Sequence, residues 1–337
     1  MERSGSVCII GIKNKNTRGY MKLIIKMIAL LLPVILLFCG CNSGNIPELK
    51  VHVKTKAPIE RAFLEPGSHQ PKCHVEDAND FKLKEYRVWY PEELEKKKEK
   101  KYPLIIMCNG TGYRATRLEP LFRHLASWGF IVVGTEEEWS GKGRGTILSL
   151  RYILKHNQTP DSPFYDRIDM ERIGIAGHSQ GGAGAINAIT KFPEGKLFKA
   201  LFTISGVRQQ QADSWILRCP YNPKNLKIPI MMTATSNPFG WDEVNPERAH
   251  LAICPLDSMH KNRDDILKNC DTTVVIARVA DKTKYHADNL AMSAPYMTAW
   301  FAYWLQGNEE AGKFFLGDKP ELKNNPCWQD VDIHIGK

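Results

Sequence analysis

The apolar positions of this chain follow two alternating rules between residues 83 and 305. Pro103–Cys108, Phe130–Gly134, Arg172–Ala176, Ala200–Ser205, Ile228–Thr235 and Thr272–Val279 are short, nearly continuous apolar runs, the pattern of strands buried on both faces. Leu83–Tyr90 instead alternates and stops at Pro91, as a half-exposed strand does. Between these runs the period becomes helical. Leu121, Phe122, Leu125 and Trp128 share one face of a helix over 118–128 that Gly129 terminates. Further helices are predicted over 146–155 and 183–191. A closing helix over 289–305 carries Met292, Tyr296, Ala299, Trp300 and Tyr303 on one stripe. Strands alternating with helices predict an α/β fold, a mostly parallel central sheet with helices on both faces.

The remaining stretches are polar. Residues 42–47 suit a tether, 51–54 a weak strand, 57–80 a loop, 92–101 (EELEKKKEKK) a solvated hairpin tip, and 309–337 a polar tail. The long insertion over 236–271 is expected at the rim of a site, or as a small lid. The resulting plan is a leader over 1–41, a tether with N-terminal loop and strand over 42–80, a main domain over 81–318 and a tail over 319–337. No internal repeat is found.

The net charge of +9 suggests a polyanionic partner until it is located: residues 1–41 contribute +5 of it, and the remainder does not call for nucleic acid. Within that leader, Lys22 and Lys26 precede an apolar run from Met27 to Cys39, the length of a signal-peptide core and too short to span a bilayer comfortably. Leu37-Phe38-Cys39-Gly40-Cys41 resembles a bacterial lipobox. It predicts cleavage after Gly40, lipidation of Cys41 and an exported domain tethered to the bacterial cell envelope, with Met21 as the expected start. An ordinary secretory signal or an uncleaved anchor is the alternative. Beyond the leader lie Cys73, Cys108, Cys219, Cys254, Cys270 and Cys327. Export permits disulfides, with Cys254–Cys270 the expected pair and Cys108 a buried thiol. No Cys/His spacing resembles a zinc site, and no metal or other cofactor is expected.

Chemistry concentrates in Arg172-Ile173-Gly174-Ile175-Ala176-Gly177-His178-Ser179-Gln180-Gly181-Gly182. An apolar strand runs into a serine between glycines and out into a small-residue helix. Gly177, Ser179 and Gly181 form G-x-S-x-G, the nucleophile elbow of α/β-hydrolases. A serine hydroxyl needs a base to take its proton and an acid to hold that base, and in this fold they follow in the order Ser, Asp/Glu, His. Of His250, His260, His286 and His334, the histidines downstream of Ser179, His286 stands between the last long strand and the closing helix, where the base belongs. Asp242 is the first carboxylate after the strand ending at Thr235, with Glu243 next to it and Asp257 and Asp281 as further alternatives. Oxyanion donors are expected from the backbone of Gln180 and from the loop 109–112.

From about Tyr102 to Leu305 the chain resembles the cutinase-like polyester hydrolases and their dienelactone-hydrolase and platelet-activating-factor-acetylhydrolase relatives. The matching stretches are Asn109-Gly110-Thr111, Leu125-Ala126-Ser127-Trp128-Gly129-Phe130, and Asp169-Met170-Glu171-Arg172-Ile173-Gly174 leading into the elbow. The resemblance implies cleavage of carboxylic esters without a cofactor. It places the nucleophile at Ser179, the base at His286 and the oxyanion donors at Thr111 and Gln180. Three departures stand out: Thr111 where those enzymes usually have an aromatic residue, Ser205-Gly206-Val207 where they place a tryptophan, and Asn237-Pro238 where their acid lies. Tyr113, Trp215, Phe239, Trp241 and Tyr285 are candidates to line the pocket. A small-molecule or lipid-like ester is the expected substrate. A peptidase, an acyltransferase or a non-catalytic surface lipoprotein would carry the same elbow.

Overall fold

The structure, a computed structural model, describes residues 55–96, 99–235, 253–284 and 286–337. In chain order the elements are α1 (Pro58–Leu64), β1 (Pro71–Asp77), β2 (Glu85–Pro91), β3 (Tyr102–Cys108), α2 (Glu119–Ser127), β4 (Ile131–Thr135), α3 (Arg144–Gln158), β5 (Ile168–His178) and α4 (Gln180–Lys191). They continue with β6 (Phe198–Ile204), α5 (Gln209–Ala212), β7 (Ile230–Thr235), α6 (Leu256–Leu267), β8 (Val274–Val279), α7 (Asn289–Gln306), α8 (Glu309–Gly312), α9 (Glu321–Asn324) and β9 (Trp328–His334).

These strands form one nine-stranded sheet in the order β1-β2-β4-β3-β5-β6-β7-β8-β9. The six from β4 to β8 run parallel, while β1, β2 and β9 are antiparallel edges. The period-2 alternation inside β3 divides the core. Leu104, Ile106 and Cys108 pack with Ile147, Leu150 and Ile153 of α3 and Ala183 and Ile186 of α4. Ile105 and Met107 pack with Leu121, Phe122 and Leu125 of α2 and Met297, Trp300 and Phe301 of α7 on the opposite face. This is the doubly covered, mostly parallel sheet of an α/β-hydrolase. From β3 the chain steps one way to β4 and then the other way to β5, so the sheet's topological switch point lies between β3 and β5. In open α/β sheets the crevice at that point, outside the strands' carboxyl ends, is where ligands bind.

Several expectations change. The stretch 57–80 is not loop but holds α1 and β1, and 309–337 is not a polar tail but holds α8, α9 and the edge strand β9. A hydrogen-bond network joins α1 to α9 and the start of β9. The Glu321 carboxylate accepts from the Ile59 and Glu60 amides at 2.6 and 2.9 Å, capping α1. The buried Glu60 carboxylate in turn accepts from Asn325 Nδ2 at 2.7 Å and Trp328 Nε1 at 2.8 Å. The charge run after β2 is not a hairpin tip, because β4 lies between β2 and β3 in the sheet; Glu92–Glu95 form a 3-10 turn at its start. The expected Cys254–Cys270 bridge is absent, and no disulfide joins any of the six cysteines. The physical reason is the helix α6 between the pair: twelve residues rising about 1.5 Å each span far more than a disulfide's reach of roughly 7 Å between Cα atoms. Cys108 is a buried thiol, its Sγ 2.8 Å from Thr146 Oγ1. The tether, the strand at 51–54 and Cys41 lie outside the described residues.

Candidate active site

Ser179 sits where β5 ends and α4 begins, at the switch point. Its backbone adopts φ 56° and ψ −125°, a left-handed conformation that an L side chain resists and that must be enforced by its surroundings. The enforcement is visible in the hydrogen bonds. The Ser179 amide donates to Ile204 O at 2.9 Å, and its carbonyl accepts from Gly182 at 2.9 Å and Val207 at 3.1 Å. The glycines are required by close approach. A Cβ on Gly181 would stand 2.2 Å from Cys108 O and 2.6 Å from Asn109 O, so the elbow is pressed directly onto the end of β3. On the other side of that contact, a Cβ on Gly110 would meet the Ser179 Cβ at 3.1 Å and His178 Nδ1 at 2.6 Å. The loop after β3 therefore lies against the serine.

That loop is braced from below. The buried Asn109 donates its Nδ2 to Thr135 O at 2.7 Å and Glu137 O at 2.9 Å, and its amide donates to Ser140 Oγ at 3.0 Å. Thr111 and Gln180 are brought together by a hydrogen bond from Gln180 Nε2 to Thr111 Oγ1, 2.9 Å long. Gln180 is also the first residue of α4, where a helix presents amides without intrahelical acceptors and the positive end of its dipole.

His286 lies between β8 and α7 and is 3% exposed. Its ring packs against that of His178, the residue before the serine, with centroids 4.9 Å apart, and Tyr113 covers the other histidine edge-on at 4.7 Å. The sheet thus brings His286, more than a hundred residues downstream, to the elbow. Burial pushes its imidazole down to about 4, so it is neutral at ordinary pH, the form a base needs. Burial, with His286 adjacent, also holds His178 well below the usual histidine range.

Asp242 and Glu243 lie outside the described residues, as do Phe239, Trp241 and Tyr285. The two other acids are exposed on the surface: Asp257 accepts from the Ser258 amide, and Asp281 is engaged by the amide and hydroxyl of Thr283 at 2.9 and 2.7 Å. Neither is a buried partner for a buried histidine. Trp215, one of the pocket candidates, is 64% exposed.

One set of residues escaped sequence reasoning. Asn289 at the start of α7, fully buried, donates Nδ2 to Ser205 Oγ at 2.9 Å and accepts from Ser293 Oγ at 2.9 Å; Ser293 and Thr233 hydroxyls lie 2.8 Å apart. This polar knot ties the carboxyl ends of β6 and β7 to the helix that follows His286. Its signal was polar residues on an otherwise apolar helix face, Asn289 and Ser293 four apart.

A family model described as PET hydrolase-like matches residues 83–327. The match covers more than two thirds of the chain and runs from the start of β2 through β8 and α7, taking in the elbow, the loop after β3 and His286. The chain belongs to the PET hydrolase-like family, hydrolases of the α/β-hydrolase fold that act on esters.

Proposed function

We propose that this protein is an exported serine hydrolase that cleaves carboxylic esters through an acyl-enzyme, with Ser179 as nucleophile, His286 as base and Asp242 as the acid orienting it. The observation that carries the reading is the strained, buried Ser179 at the switch point with the neutral His286 packed against the same elbow. In the first step His286 takes the hydroxyl proton as Ser179 Oγ adds to the ester carbonyl. The amides of Gln180 and Thr111 hold the oxyanion, an interaction whose loss typically costs about 3 kcal/mol of barrier lowering. Collapse expels the alcohol, which leaves with the proton from His286, and water then repeats the sequence on the acyl-serine. A small-molecule or lipid-like ester fits this chemistry, and no cofactor is involved in any step. The signal-peptide pattern and lipobox of residues 27–41 support export and lipid attachment at Cys41.

The test is hydrolysis of p-nitrophenyl acetate and butyrate by the full chain beside Ser179→Ala and His286→Ala. Each variant is expected to lose about a thousandfold or more of kcat. Turnover that survives Ser179→Ala would assign the chemistry elsewhere, and no turnover in any form would favour the binding lipoprotein. Metabolic labelling with an alkyne fatty acid is expected to mark the wild type and not Cys41→Ser.

A further inference from the structure

A cavity of about 460 Å³ is walled in part by Gln180, the residue that follows Ser179 at the elbow. Its other walls come from the segment before β2, from the stretch between β4 and α3 with Arg144 at the start of that helix, and from Leu217 and Cys219 beyond α5. We propose that this cavity is a subsite for a carboxylate carried by the ester substrate, held by Lys82, Lys84, Lys142 and Arg144 while the ester group reaches Ser179. The proposal rests on the reading of Ser179 as the nucleophile.

The charge balance of the walls points that way. Three acids line the cavity, but each is already accounted for. Glu136 accepts from the Thr116 amide and hydroxyl at 2.9 and 2.8 Å and pairs with Arg87 at 3.4 Å. Glu138 is paired with Arg114. Glu137 is buried, and that burial raises its carboxyl to about 7, so much of it is uncharged at neutral pH. The cations are not matched in the same way. Arg144 shares Asp80 at 3.3 Å, but Lys82, Lys84 and Lys142 have no carboxylate within ion-pair distance among the described residues. These lysines are exposed and converge on one concavity, where walls of lower dielectric strengthen their combined field.

The mouth of the cavity is aromatic. Phe81 is 85% and Trp139 51% exposed, and the Lys82 ammonium sits 5.6 Å over the Phe81 ring. Flat apolar surface beside cations suits a short hydrocarbon or aromatic spacer that ends in an acid. Gln180 fixes where such a spacer would meet the chemistry, because its side chain donates both to Thr111 Oγ1 at 2.9 Å and to Glu138 O at 3.3 Å, linking the loop after β3 to the cavity wall.

The experiment compares matched esters with the full chain. One arm places the acid on the acyl half, mono-p-nitrophenyl glutarate against p-nitrophenyl valerate. The other places it on the leaving half, 4-butyryloxybenzoate against its methyl ester, followed by pH-stat. In at least one arm the kcat/KM ratio of anionic to neutral ester is expected to exceed about ten and to fall severalfold in 0.5 M salt. It should drop toward one in Lys82→Gln/Lys142→Gln and stay in place in the remote Lys323→Gln. A ratio near one in both arms, or a ratio unchanged in the double variant, overturns the proposal. A binding readout separates it from the catalytic reading: glutarate titrated into Ser179→Ala is expected to change Trp139 fluorescence and dimethyl glutarate not to. Absence of that change overturns the subsite, whereas glutarate binding without ester turnover by the wild type overturns the assignment of Ser179 and leaves the subsite standing.

Discussion

A methyl group at position 181 tests the elbow's geometry more sharply than removal of any reacting atom. In Gly181→Ala the new Cβ would stand 2.2 Å from Cys108 O, 2.6 Å from Asn109 O and 2.7 Å from Cys108 C, all of them backbone. No side chain can rotate away, so relief requires the end of β3 and the elbow to separate by roughly 1 Å, a displacement that in an active site can cost about a hundredfold in rate. The shift falls between Ser179 and the loop carrying Thr111, so it should appear in kcat far more than in KM. Overpacking of this kind costs about 1–3 kcal/mol of stability, partly offset by alanine's helix preference over glycine, up to about 1 kcal/mol. The net loss should lower the melting temperature by only a few degrees, and the protein should remain folded for assay. Gly206→Ala is the control, since its Cβ would have no neighbour nearer than 3.6 Å, an ordinary contact. Steady-state kinetics on p-nitrophenyl butyrate with thermal unfolding of both variants decides the matter. A Gly181→Ala enzyme with wild-type kcat would refute the tight coupling of the elbow to the loop after β3.

Because burial holds His286 near 4, below its ordinary 6.5, the acid limb of kcat/KM is expected below pH 6.5, and a midpoint at or above that value would contradict the burial. The same depression makes the fold bind fewer protons than the unfolded chain, so this histidine's contribution to stability is complete above 6.5 and lost as pH falls toward 4. Glu137 has the opposite sign. Its carboxyl is raised from 4.5 to about 7, so its neutral form's advantage is present below 4.5 and lost as pH rises through 7. Glu137→Gln should therefore gain on the wild type in urea unfolding between pH 5 and pH 8, by up to about 3 kcal/mol; an equal difference at both pH values would contradict a neutral buried acid. Asp242→Asn is expected to cut kcat at least a hundredfold with Glu243→Gln near wild type, and the reverse pattern would move the acid by one residue.

The parallel core was legible because its strands and helices are continuous and covered on both faces: β3 to β8 and the helices α2, α3, α4 and α7 follow from apolar period alone. The edges were not. α1 has seven residues with Phe63 its buried hydrophobic, and β9 carries Gln329, Asp330 and Asp332 among its apolar positions, so both read as polar connections. What orders them is tertiary: the Glu60 and Glu321 carboxylates pair residues more than 260 apart in sequence. The position of β4 between β2 and β3 was hidden for a related reason, since sheet order is not encoded in any local pattern. At the site, chain order alone singled out His286, and the fold brings it to the elbow. The Asn289–Ser205–Thr233–Ser293 knot stayed hidden, because each member looks like an ordinary polar residue until the three elements meet.

If Ser179 is the activated hydroxyl, as proposed, an organophosphate will trap it covalently. The full chain treated with diethyl p-nitrophenyl phosphate should gain one diethylphosphoryl group, mapped by peptide mass spectrometry to Ser179, with hydrolysis of p-nitrophenyl butyrate lost in proportion and Ser179→Ala unlabelled. Complete inactivation with the adduct on another residue, or ester turnover that persists while Ser179 is fully modified, would contradict the account.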